Sequence, residues 1–185
     1  MRRHPTKPLD VAPLIPTETE QDRRGTGEQL GSRELAGPPE SASAFRALAE
    51  EYTGNDAIPV PLRRLLTCAL TSVPPPRTVK RLAHLPNSDP STIRRHWRRG
   101  VNSHGIQRIK DLLDWLVLLH ALAAKRPGLS WRLVAASVGT NERTLRRLAV
   151  RLTGDTLGAV GVAGAERPFE HFAESLAASF CAKSS

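Results

Sequence analysis

Residues 131–147 read Trp131-Arg132-Leu133-Val134-Ala135-Ala136-Ser137-Val138-Gly139-Thr140-Asn141-Glu142-Arg143-Thr144-Leu145-Arg146-Arg147. Residues 79–95 read Val79-Lys80-Arg81-Leu82-Ala83-His84-Leu85-Pro86-Asn87-Ser88-Asp89-Pro90-Ser91-Thr92-Ile93-Arg94-Arg95. At a constant offset of 52 residues the two stretches agree where agreement has a physical meaning. Apolar Val79, Leu82 and Ile93 align with Trp131, Val134 and Leu145, at helical spacing. Ala83 and Ala135 let a second helix approach closely. Asn87 and Gly139 are residues that tolerate positive φ, as a tight interhelical turn requires. Asp89 and Asn141 are good N-caps for the helix that follows. Thr92 and Arg95 align with Thr144 and Arg147. The pattern predicts two helix-turn-helix units in tandem.

The flanking sequence predicts helices throughout. One runs from Pro61, with Leu62, Leu65, Leu66, Ala69 and Leu70 on one face, and stops at Pro74-Pro75-Pro76. The recognition helices are expected at about Pro90–Arg99 and Glu142–Thr153, the second closed by Gly154. Between the units, about His104 to Lys125 reads as a long helix, apolar on nearly every side in its later part. At 22 residues it would span about 33 Å, close to one turn of B-DNA. Ser41–Tyr52 reads as a short helix, and Arg167–Ala182 as an amphipathic one carrying Phe169, Phe172 and Phe180. Gly158, Gly161 and Gly164 read as a flexible run. Residues 1–40 are rich in Pro, Gly, Glu and Thr and read as disordered. The expected fold class is all-α: a disordered extension over 1–57, the tandem domain over 58–160, and a tail over 161–185.

Charge separates along the same boundaries. Residues 58–158 hold 18 Lys and Arg against 5 Asp and Glu, net +13, within a chain of net +9. Residues 1–57 are net −3 and residues 159–185 net −1. A concentrated positive field attracts polyanions, nucleic acid first among them. The first recognition helix carries Arg94, Arg95, Arg98 and Arg99, and the second Arg143, Arg146, Arg147 and Arg151. Residues early in such a helix reach bases: Ser91, Arg94 and Arg95 in the first, Glu142, Arg143, Arg146 and Arg147 in the second. Arg98, Arg99 and Arg151 lie later and suit phosphates.

Other chemistries find little support. Six histidines show no close pair at metal spacing, so no metal or other cofactor is expected. Cys68 and Cys181 form no disulfide framework, which makes a reducing cytoplasm the simpler setting. The longest apolar run, Trp115–Ala124, is too short for a membrane span. No nucleophile, base and orienting acid can be assembled, so no enzyme is expected. Trp97, Trp115 and Trp131 fall on core phases of their helices.

The chain resembles the DNA-binding domain of the AraC/XylS family over roughly Pro59 to Val160. The resemblance is carried by Leu113-Asp114-Trp115-Leu116 with Leu119-His120-Ala121, by Val134-Ala135-Ala136-Ser137-Val138-Gly139, by Thr144-Leu145-Arg146-Arg147, and by Leu152-Thr153-Gly154. It departs at Thr140, where the family has an aromatic residue, at a second unit one residue short, and at Pro86 before Asn87. The resemblance implies sequence-specific binding of double-stranded DNA by two recognition helices in successive major grooves. It also implies transcription control through contact with RNA polymerase, in a bacterial regulator reduced to its DNA-binding part. The alternative is a helical protein-interaction module, docking through the apolar linker helix and the Phe-bearing tail.

Overall fold

The computed structural model describes residues 40–180, and every regular element among them is helical. In chain order these are α1 (Glu40–Gly54), α2 (Val60–Thr71), α3 (Val79–His84), α4 (Pro90–Gly100), α5 (Ile109–Ala124), α6 (Trp131–Ser137), α7 (Glu142–Thr153), α8 (Leu157–Ala163) and α9 (Glu166–Ala178). Of the extension expected over 1–57, residues 1–39 lie outside the described residues, whereas residues 40–54 form α1 with Phe45, Leu48, Ala49 and Tyr52 buried. No described helix is long and apolar enough to cross a membrane.

The repeat extends further back than the helix-turn-helix. Leu65, Leu66, Ala69 and Leu70 of α2 are all buried, and so are Val117, Leu118, Ala121 and Leu122 of α5, each pair again 52 residues apart. The repeating body is therefore three helices, α2-α3-α4 followed by α5-α6-α7. It repeats down to single hydrogen bonds. Thr78 Oγ1 accepts from Arg81 N (3.1 Å), as Ser130 Oγ accepts from Leu133 N (3.4 Å). Ser88 N donates to Ala83 O and Thr140 N to Ala135 O, both at 2.8 Å. Asn87 and Gly139 sit in the two turns at φ 51° and 72°. Pro86 and Thr140 thus leave the turn unchanged, and the second unit is no shorter than the first.

α1, α8 and α9 share one hydrophobic core with the repeats, so the tandem body is not separable at residues 58 and 160. Phe45 of α1 stacks on His120 of α5, with ring centroids 4.7 Å apart, and meets Phe169 of α9 edge-on. Phe172 and Leu176 of α9 are fully buried, Phe172 beside Trp115. Phe180 packs edge-on against both Tyr52 and Trp97. The apolar faces of α5 and α9, expected as docking surfaces in the alternative reading, are interior here.

Two expectations need correction. α5 begins at Ile109, not near His104, and its 16 residues span about 24 Å. Of the six residues lost, Lys125 caps the helix end and 104–108 belong to a loop that α9 holds. Asn102 N donates to Ser179 O, Asn102 Nδ2 to Ala178 O, and Ile106 N to the buried Ser179 hydroxyl at 2.7 Å. Gly105 lies so close to α9, at φ 71°, that a Cβ there would fall 2.1 Å from the Ser175 carbonyl oxygen. The match between linker length and a DNA turn is lost with those residues. The second correction is α8, a helix across the glycines read as flexible. Thr156 caps it, and a Cβ on Gly161 would lie 2.4 Å from the Trp131 ring, so this glycine serves packing.

Candidate nucleic-acid interface

Capping fixes where each recognition helix starts and hence which side chains it presents. Asp89 Oδ1 accepts from Ser91 N at 2.7 Å, and Asn141 Oδ1 accepts from Thr144 N at 2.8 Å. These hydrogen bonds, chiefly from Ser91, hold the Asp89 carboxyl below its ordinary pKa, so the cap stays ionised at neutral pH. Ile93 and Trp97 bury the inner face of α4; Leu145, Leu148 and Ala149 bury that of α7. Every other side of both helices is then free for polar residues.

On α4, Ser91, Arg94, Arg95, Arg98 and Arg99 are all exposed. None of the four arginines makes an ion pair among the described residues. On α7 the expected residues divide. Arg143 and Arg147 are exposed and likewise make no ion pair there. Arg146 is held by Glu142, with Nη2 2.5 Å and Nε 3.0 Å from Oε1. Arg151 reaches back to α5, with Nη2 2.5 Å from Asp114 Oδ2 and Nη1 3.7 Å from Asp111. Asp114 is buried and also accepts from Lys110. Glu142 and Arg151, expected as base and phosphate contacts, therefore each hold a partner within the chain.

Part of each arginine face lines a groove, and Arg95, Arg99 and Arg143 line neither. One, of about 500 Å³, is lined by Arg77 before α3, Arg94 and Arg98 of α4, and Arg108 and Lys110 at the start of α5. The other, of about 790 Å³, is lined by Arg108 and Lys110 again with Arg146, Arg147 and Arg151 of α7. Arg108 and Lys110 are common to both, and Asp114, which holds Lys110, also lines the second. Arg77 also lies over the second turn: a Cβ on Gly139 would be 3.6 Å from Arg77 Cδ and 3.7 Å from its Nη1.

Arg77, Arg108 and Lys110 were not among the residues expected from sequence, because they lie outside both recognition helices. The signal available was their membership of the +13 block at the element starts nearest those helices. Scans against protein-family models and searches of curated proteins and of solved structures return no match to this chain.

Proposed function

We propose that this chain is a cytoplasmic, sequence-specific DNA-binding regulator of transcription, of the AraC/XylS type, that sets α4 and α7 in successive major grooves of one duplex. One observation carries the reading. Two helix-turn-helix bodies share caps, turns and core contacts at a fixed offset, and arginines of both line grooves that have Arg108 and Lys110 in common. Surfaces of that kind suit a regular polyanion with repeated grooves. In this reading the early residues Arg94, Arg95, Arg143 and Arg147 would read guanine edges bidentately, and Arg98 and Arg99 would hold phosphates. Contact with RNA polymerase follows from the family resemblance and is proposed with it.

Selection of bound duplexes from a random library tests the reading. The expected product is a two-part motif whose affinity falls steeply with salt. Enrichment of no motif would reject sequence-specific regulation. Within a selected motif, Arg95→Ala and Arg147→Ala should each relax preference in a different half-site, by about 1–3 kcal/mol. Inserting about half a helical turn between the half-sites should abolish the joint advantage, because it moves the second groove to the opposite side of the duplex.

A further inference from the structure

We infer that the floor between the two recognition helices seats the phosphate backbone of the DNA running from one half-site to the next, with Arg77 and Arg108 as its contacts. The inference rests on the DNA-binding reading and adds residues that lie on neither recognition helix.

Three cations meet on this floor, and their partners rank them. Arg77 is exposed and makes no ion pair among the described residues. Arg108 is 70% exposed; its Nε and Nη2 hold Asp111 at 2.8 and 2.9 Å, and Nη1 has no partner among the described residues. Lys110 is held by the buried Asp114, whereas Arg108 keeps Nη1 beyond its pair with Asp111. Arg77 and Arg108 come from segments 31 residues apart in sequence, yet both line the same groove. Arg108 also lines the groove of α7, and Arg77 lies over the turn that precedes α7.

Position decides what such cations can touch. Base edges are read by side chains that project into a major groove. Between two successive major grooves on one face, a duplex presents its minor groove, with only a degenerate base pattern, and the two phosphate backbones that border it. Cations at the junction of two recognition bodies face that stretch. The two grooves share Arg108 and Lys110, and each is open to solvent rather than closed around one anion, which fits an extended backbone better than a free phosphate.

The test uses the full chain with a duplex of about 30 base pairs carrying the selected motif, and the Arg77→Gln/Arg108→Gln variant. The slope of log affinity against log salt should become shallower by about 2, one for each lost phosphate contact. Affinity should fall by the same factor for the motif and for a scrambled duplex. Replacing the phosphates between the half-sites with methylphosphonates should cost the wild type a similar factor and the variant nothing further. An unchanged slope would overturn the inference, as would losses that add between variant and methylphosphonate. An equal slope change on an A-form RNA duplex would overturn the assignment to DNA. A wild-type chain that binds no duplex would instead overturn the DNA-binding reading itself. If the Arg108 change disturbs the start of α5 on melting, Arg77→Gln alone should still reduce the slope by about 1.

Discussion

The two repeats have one backbone and two electrostatic characters. Position 52 residues on from Leu62 is Asp114, and position 52 residues on from Arg99 is Arg151. In the first repeat Leu62 is buried against Gly100, where a Cβ would lie 1.9 Å from Leu62 Cδ1, and Arg99 makes no ion pair among the described residues. In the second, Asp114 is nearly as buried and binds both Arg151 and Lys110. With the Glu142–Arg146 pair, the second recognition helix commits two of its four arginines to partners within the chain, whereas the first commits none. A side chain held at both ends has less rotamer freedom to lose on binding, but it also offers less charge. The contrast leaves more unpaired charge on α4 and a more fixed side-chain geometry on α7.

The largest test asks whether the repeats, so different in charge, fold as one body. Phe172 packs beside Trp115 of the second repeat, and the same helix leads to Ser179 and Phe180, which hold the interrepeat loop and Trp97 of the first. Phe172→Ala should cost about 3–5 kcal/mol. It should lower one melting transition for the whole chain by about 10 °C or more in calorimetry. A melt that splits into two transitions would show that α9 serves one repeat only.

A second test uses position 120, which aligns with Cys68 in the first repeat. His120 is largely buried, stacked on Phe45, and its Nε2 has no partner among the described residues. Burial lowers its pKa from 6.5 to about 4. The unfolded chain therefore binds this proton first as pH falls. Stability tied to neutral His120 is fully present above about pH 6.5 and is lost progressively down to about pH 4. The loss should be about 3 kcal/mol. Cys68 brings no such dependence, because burial pushes its thiol further up and it stays neutral. His120→Cys should flatten denaturant midpoints between pH 6.5 and 4; an unchanged slope would place the acid sensitivity elsewhere.

Much of this was legible in the sequence, because its causes are local. Caps, turns and core phases depend on residues within one or two helical turns, and the offset of 52 exposed them twice over. The first helix of each repeat was legible too, as Leu65-Leu66 with Ala69-Leu70 against Val117-Leu118 with Ala121-Leu122. It was obscured because α5 is buried on nearly every side and so lacks a polar face to set its phase. What stayed hidden depends on distant partners. The start of α5 is set by Ser179, 73 residues from Ile106. The helical state of α8 is tied to Trp131 lying against Gly161. The commitment of Arg151 follows from Asp114, 37 residues away, whereas that of Arg146 is a local pair with Glu142.

The electrostatic contrast itself can be reduced by Asp114→Asn, which keeps the side-chain shape and removes the charge. Arg151 and Lys110 are about half exposed, so water can take up the released cations. The cost should be about 1–2 kcal/mol, below that of breaking a fully enclosed pair. The salt slope of DNA binding should steepen by about 1 as Arg151 becomes available. Discrimination between motif and scrambled duplex should fall at the same time. A steeper slope with discrimination intact would mean that Arg151 is not held for specificity.

The smallest expected effect is at the turns, where the repeats should be interchangeable. Asn87 and Gly139 occupy the same left-handed backbone region and close the same turn, their amides donating to His84 O at 3.3 Å and Ala136 O at 2.9 Å. Asn87→Gly relieves a small conformational cost but frees the unfolded chain, and these terms oppose each other at about 0.5–1 kcal/mol each. Gly139→Asn reverses the trade. Its new Cβ would meet Arg77 Cδ at 3.6 Å, an ordinary contact, so space is no obstacle. Both changes should shift stability by less than about 1 kcal/mol, whereas alanine at either position should cost about 1–2 kcal/mol for its poorer tolerance of positive φ. Urea midpoints of the four variants measure this directly. If Gly139→Asn costs as much as alanine, the second turn differs from the first, and the seat of Arg77 above it becomes the feature that separates the two repeats.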